Sequence, residues 1–240
     1  DCALLTLPPD VQLAVSTDTL VSGVHFFPDM DPVDLGYKAL AVNLSDLAAM
    51  GAEPRWVSLA LTLPAINERW VAGFAEGFLE LAEYYNVALV GGDMTRGPLS
   101  ITVSVKGSVP AGRALMRSGA KAGDGVYVTG TLGDAALALS HLLGKRTLNE
   151  NQLAAVLPRL DHPHPRILAG QALRGLASSA LDLSDGLASD LGHILKASGV
   201  RAQIDLNLLP LSPVLQDAVP AMDAWQLALA GGDDYELCFT

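Results

Sequence analysis

Four stretches of this chain set carboxylates beside glycines or hydroxyls after an apolar run. Ala88-Leu-Val-Gly-Gly-Asp-Met-Thr-Arg-Gly97 brings Asp93 after two glycines, with Thr95 and Arg96 close behind. Leu13-Ala-Val-Ser-Thr-Asp18 sets Ser16 and Thr17 before Asp18. Ser179-Ala-Leu-Asp-Leu-Ser-Asp-Gly186 holds Asp182, Ser184 and Asp185, and Leu229-Ala-Gly-Gly-Asp-Asp234 ends on Asp233 and Asp234. Oxygen donors of this kind suit a hard divalent cation, and an arginine fork suits phosphate oxygens. The chemistry they predict is a phosphate held through metal ions. Any one stretch alone reads as a strand ending in an acidic turn, where an acid can cap a helix. Their recurrence points to one polynuclear site, because ligands in α/β folds gather at the carboxyl ends of strands.

The elements that must position these groups follow from pattern. Leu13–Asp18 reads as a strand and Thr19–Phe27 as a loop containing His25. Asp31 suits an N-cap, Pro32 a first helical position and Asp34 the acid of a capping box. The helix then runs through Lys38–Met50 and stops at Gly51. Asn43 and Asp46, three apart, share a face with Ala39, Val42, Ala49 and Met50. A carboxylate in those surroundings is paired, metal-bound, or at the solvent edge of the stripe. Val57–Leu63 and Ser100–Val105 alternate as strands do, with small Ser, Ala and Thr residues on one face. That face suits either a second sheet in a symmetric dimer or solvent. Asn67 caps a helix whose stripe of Trp70, Phe74, Phe78, Leu81 and Tyr85 is core. Ala88–Val90 reads as a buried strand, with Gly91 and Gly92 turning tightly after it.

Pro110–Arg113 reads as a boundary between two domains, 1–111 and 112–240. Beyond it, Leu115–Gly125 is a glycine-rich loop with Arg117 and Lys121, leading through Val126 into a helix over Ala135–Leu143. It lacks the Walker pattern and reads as an ordinary βα turn. His162 and His164 stand among prolines at a helix start, not at a zinc site. Asp185-Gly186 opens a helix buried on Leu187, Leu191, Ile194 and Leu195 that ends at Gly199, while Arg201–Leu206 and Tyr235–Phe239 read as strands.

The 240 residues carry a net charge of −11, with half of them hydrophobic and 17% charged, a globular composition. The acidic balance argues against nucleic acid or an anionic membrane as partner. It also makes divalent cations necessary to any phosphate substrate, as bridges to the carboxylates. No apolar stretch is long enough to span a bilayer and no signal peptide is visible. The chain starts at Asp1 without methionine and stops inside a strand, so further sequence is expected at both ends. Cys2 and Cys238 read as free thiols of a cytoplasmic protein.

Five motifs together resemble the bacterial thiamine-monophosphate kinase family, within the aminoimidazole ribonucleotide synthetase-like superfamily. They are Ser16–Phe26 (STDTLVSGVHF), Lys38–Pro54 (KALAVNLSDLAAMGAEP), Gly91–Gly97 (GGDMTRG), Asp182–Gly186 (DLSDG) and Gly231–Glu236 (GGDDYE). The resemblance spans essentially the whole chain, and the second motif is its most specific part. It implies an α/β fold of two domains: an N-terminal one, 1–111, that dimerises through its sheet, and a larger C-terminal one, 112–240, incomplete here. ATP and several Mg2+ ions are then expected in the cleft. The γ-phosphoryl group would pass directly to the phosphate of thiamine monophosphate, with no covalent nucleophile, so catalysis is positioning and charge neutralisation.

By the same resemblance the metal ligands are Asp1, Ser16, Thr17, Asp18, Asp46, Asp93, Asp182 and Asp185. ATP contacts are Gly92, Asp93, Arg117 and Ser184, and the thiamine-phosphate side is His25 and Asp233, where the family usually has glutamate. The implied partners are ATP, thiamine monophosphate and a second copy of the chain. Two other readings stay open: another phosphotransferase of the superfamily with a different small phosphate acceptor, or a non-catalytic magnesium-nucleotide binding module.

Overall fold

The central element is α1 (Pro32–Ala49), and its start is built as its sequence dictates. Asp31 accepts the Val33 N–H at 2.8 Å, and Pro32 takes a first-turn position whose missing donor costs nothing. The helix closes at Met50, and Gly51 turns the chain away with φ at +64°. Unlike a surface helix it is buried on most of its circumference, because a sheet, α2 (Glu68–Tyr84) and α5 (Ile167–Leu173) pack around it. The backbones meet directly: a Cβ on Gly36 would lie 2.1 Å from the Phe74 carbonyl oxygen, and one on Gly170 1.9 Å from that of Ala48. The structure, a computed structural model, describes residues 2–240.

The sheet consists of β1 (Val11–Val21), β2 (Glu53–Leu63), β3 (Ala88–Arg96) and β4 (Ser100–Pro110), in the order β1-β4-β2-β3. β2 and β3 run parallel through the α2 crossover, and the other pairs are antiparallel. One face packs on α1 and α2 through Val57, Leu61, Ile101, Val103 and Val105. The other face carries hydroxyls in register: Thr17 Oγ1 donates to Ser104 Oγ at 2.9 Å, and Thr19 and Thr102 share a 2.8 Å bond. Both outer edges, β1 and β3, lack a partner among the described residues.

The rest of the chain builds a smaller antiparallel sheet, β5 (Tyr127–Val128), β7 (Leu237–Phe239) and β6 (Ala180–Asp182) in that spatial order. Around it lie α3 (Asp134–Leu142), α4 (Glu150–Asp161), α6 (Leu187–Ser198), α7 (Pro213–Ala218) and α8 (Ala221–Ala230). Leu132, Leu183, Leu191 and Ile194 form one core here, and Leu137, Val156, Leu215 and Ala224 another. Ile167 and Leu237 instead join the core under the first sheet, so α5 and β7 tie the two parts together.

Several local expectations are corrected. β1 continues through Thr19 to Val21, because Ser100 to Thr102 remain available to pair with it. Gly91 and Gly92 make no tight turn. They lie in an extended and exposed edge strand, and Gly92 is bare because a Cβ would sit 1.8 Å from the Leu59 carbonyl oxygen. Leu229 and Ala230 close helix α8 instead of a strand. Arg201–Leu206 finds no partner edge and forms coil ending in a 3-10 turn over Leu206–Leu208. Asp34 does not close a capping box but meets His162 Nε2 at 2.7 Å. Regular strand over Tyr235–Phe239 begins only at Leu237, because Tyr235 has φ at +48°.

Candidate active site

Asn43 and Asp46, one turn apart on α1, turn toward β1 and fix it from two sides. Asn43 Nδ2 donates to the Ala39 carbonyl at 2.9 Å, and its Oδ1 accepts the Asp18 N–H at 3.1 Å. Asp46 Oδ2 accepts from Ser16 Oγ at 2.5 Å. β6 ends in Asp182 against the same stretch of helix. The loop after it is pinned by Asp190, a buried side chain of α6 that accepts the Asp185 N–H at 2.9 Å. Gly186 at φ +104° lets that loop enter α6. The result is a cleft of about 380 Å³. One wall carries Asp18, Asp46 and His25, and the other Asp182, Ser184, Asp185 and Tyr235, with Arg117 and His193 at the same opening.

The electrostatics of this cleft are unfavourable without a cation. Burial, then the neighbouring Asp182 charge, pushes Asp46 up from 3.8 to about 7, against the bond from Ser16. Burial likewise raises Asp182 and Asp190. Beside Asp182, Ser45 Oγ is buried and makes no hydrogen bond of good geometry among the described residues, yet it lies close enough to the Asp182 carboxylate to moderate that rise. Crowded carboxylates that resist ionising, with oxygen donors around them, are what a hard cation relieves. Among the described residues no three His, Cys, Asp or Glu side chains converge tightly enough to cage an ion alone.

Asp46 gives a pH prediction. Its folded pKa of about 7 lies above the ordinary 3.8, so its ionisation opposes folding. Metal-free stability from this group is fullest below pH about 4, is lost as pH rises to about 7, and is level above that. At 1.36 kcal/mol per unit the ceiling is about 4 kcal/mol. Thermal unfolding in chelator should therefore show Asp46→Asn more stable than the parent at pH 8, with the gain gone at pH 4. A less stable Asn variant at pH 8 contradicts this.

The residues expected from sequence are not all in this cleft. Ser16, Asp18, Asp46, Asp182, Asp185, Ser184, Arg117 and His25 gather around it. His25 Nδ1 accepts the Val21 N–H at 3.0 Å, which fixes the ring at the cleft wall. Thr17 points to the other face of the sheet, toward Ser104. Asp93 pairs in register with Ala60 and through it with Thr102 and Thr19, so it shares that far face. Three strand spacings separate β3 from β1, about 14 Å, which takes Gly92 and Asp93 away from Asp18 within one chain. Asp233 stands beside the cleft, its N–H donating to the Ser184 carbonyl at 2.9 Å. Asp1 lies outside the described residues. Asp190, His193 and Tyr235 also line the cleft, and the sequence does not single them out. Asp190 and His193 looked like ordinary positions on an amphipathic helix, and only the fold turns them to the cleft.

The comparisons agree with this architecture. Residues 1–109 match the family described as AIR synthase related protein, N-terminal domain, and residues 121–239 its C-terminal domain. Thiamine-monophosphate kinase of Escherichia coli strain K12 is 59% identical over 241 residues, covering the whole chain and 74% of that protein. The crystal structure of thiamine-monophosphate kinase from Stenotrophomonas maltophilia superposes with a TM-score of 0.95 at 48% identity, covering all of this chain and 77% of that one. A structure of AaThiL complexed with AMPPCP and TMP superposes at 0.89 with 34% identity, over 98% and 76% of the two chains.

Proposed function

The chain belongs to the thiamine-monophosphate kinase family, and from that premise we propose that it transfers the γ-phosphoryl group of ATP to thiamine monophosphate, giving thiamine diphosphate. The observation that carries this is the likeness, over 98% of the chain, to a protein solved with both AMPPCP and TMP. Magnesium supplies charge neutralisation between two phosphorylated substrates and the acidic cleft. Asp18, Asp46, Asp182 and Asp185 would hold it, with Ser16 orienting Asp46 at 2.5 Å. Ser16 and Asp1 also belong to the proposed set, and Thr17, on the far face of the sheet, would join it only together with Asp93 of a second copy. Arg117 and Ser184 would contact ATP, and His25 and Asp233 the thiamine monophosphate molecule. No side chain needs to become covalently bonded, since alignment and charge neutralisation carry phosphoryl transfer.

Gly92 and Asp93 belong to this site through a second copy of the chain. The uncovered sheet face, the exposed Leu13, Val15, Leu89 and Met94, and the two unpaired edges β1 and β3 favour a homodimer. Open edges of this length are templates for pairing with another chain. β3 of one copy beside β1 of its partner would set Asp93 near Asp18. Residues 1–111 would form the dimerising domain and 112–240 the second domain. No helix of the described residues is long and apolar enough to cross a membrane. A cytoplasmic location is part of the proposal and rests on the biosynthetic role.

The test is turnover with ATP, magnesium and thiamine monophosphate, beside a panel of other small phosphates as acceptors. ADP and thiamine diphosphate formed in equal amounts are expected. ADP formation that depends instead on another acceptor, or none with any acceptor, would overturn the reading.

A further inference from the structure

Lys38 is a buried cation that the roles above leave unused. It sits on α1 four residues before Val42 and eight before Asp46, on the stripe that lines the cleft. Its side chain is only 4% exposed, and a buried ammonium needs a charged or hydrogen-bonded partner. Its one ion pair among the described residues is with Asp233 Oδ2 at 3.8 Å. Asp161 faces it from α4, and Lys38 moderates the rise that burial causes in the Asp161 pKa. At 3.8 Å the contact with Asp233 is too long for a hydrogen bond and acts through charge.

Asp233 is itself held in an unusual way. It has φ at +59°, between Gly232 at +69° and Tyr235 at +48°. Two non-glycine residues so close together in left-handed backbone are strained, and such strain persists only where surrounding structure imposes it. That structure is the Asp233 N–H bond to Ser184 and the Tyr235 N–H bond to Leu183, at 2.9 and 2.8 Å. The strained turn is therefore anchored to the loop that carries Asp182 and Asp185, and it presents a carboxylate, 31% exposed, beside the cleft. Aspartate tolerates this backbone better than most residues. The long flexible lysine stem reaches across to it.

We propose that Lys38 is a positioning residue that fixes the Asp233 carboxylate from the opposite wall and thereby sets affinity for the acceptor. The acceptor class is a phosphate ester carrying an organic cation. Asp233 supplies the counter-charge to that cation, and Lys38 holds it in one place. The inference rests on the kinase reading above.

The experiment is a double-mutant cycle on the full chain, with KM measured separately for thiamine monophosphate and for magnesium-ATP. Lys38→Met should raise the KM for thiamine monophosphate about tenfold, the size of a coupling between contacting residues, and leave that for magnesium-ATP within about twofold. Lys38→Arg should recover most of the loss. Lys38→Met combined with Asp233→Asn should be no worse than Asp233→Asn alone. If Lys38→Met fails to fold, Lys38→Arg and Asp233→Asn carry the test, since Asp233→Asn alone must reproduce the acceptor-selective loss. Unchanged acceptor KM, parallel rises for both substrates, or additive effects would overturn the proposal while the kinase reading stands. A parent chain that binds magnesium-ATP but neither binds nor phosphorylates thiamine monophosphate would overturn both.

Discussion

Asp182→Asn should lower magnesium-dependent turnover by at least about 10²–10³-fold and leave the metal-free fold as stable as the parent or slightly more so. A cation that stabilises transition-state charge contributes several kcal/mol, and each 1.36 kcal/mol is tenfold in rate. Asp182 ends β6 in a buried position, where burial and the charges of Asp190 and Asp18 already raise its pKa. Its ionised form is thus destabilised in the folded state without a cation, so removing the charge relieves the fold. Stabilisation by added magnesium and ATP should shrink in the variant, because a ligand stabilises only the state that binds it. A structural aspartate would behave in the opposite way. Metal-free destabilisation with parental turnover and an unchanged magnesium shift would make Asp182 a scaffold residue.

The largest effect on stability is expected at Glu236. This side chain is 1% exposed and accepts from Thr129 Oγ1 at 2.6 Å, from Arg159 Nη2 at 2.6 Å, and from Arg166 Nε and Nη2 at 2.6 and 2.5 Å. It joins the end of β5, helix α4, the start of α5 and the approach to β7. Two guanidinium groups converge on one carboxylate, so Glu236→Ala leaves both without their counter-charge. Removing one partner of a buried ion pair costs about 3–5 kcal/mol. For a chain of this length that is roughly a 10 °C fall in Tm. The strained turn at Asp233 and Tyr235 lies directly before it, and Asp234 between them is buried with Oδ1 on the Gly133 N–H at 2.8 Å. Loosening Glu236 should therefore also raise the KM for the acceptor. Thermal unfolding of Glu236→Ala decides the matter, and a Tm within about 2 °C of the parent would mean the network contributes little.

Much of this was legible in the sequence where the cause is local. Helix α1 is written out by Asp31, Pro32 and Gly51, and α2 by Asn67 and its aromatic stripe, because caps and periodicity act within a few residues. Asn43 and Asp46 were placeable on one face for the same reason. The misread elements depend on partners far away in sequence. Gly91-Gly92 reads as a turn from local sequence, yet Gly92 is glycine because the Leu59 carbonyl approaches from the next strand. The short apolar run at Leu229 carries no signal that separates strand from helix end. Arg201–Leu206 alternates like a strand, but it pairs with neither sheet, and nothing local in the sequence signals that. The family motifs name Asp93 as a site candidate, while only the register reveals that it faces away from Asp18 within one chain. Lys38 stood inside the most specific motif, and its partner Asp233 lies 195 residues later, beyond any spacing rule.

The claim that the acidic cleft is a magnesium-dependent ATP site is tested most directly by calorimetry of ATP binding to the metal-free chain, with magnesium and then in excess chelator. Binding with magnesium and its loss in chelator are expected, because ATP phosphates would otherwise meet Asp18, Asp46, Asp182 and Asp185 unshielded. Equal ATP affinity in the two conditions would contradict it.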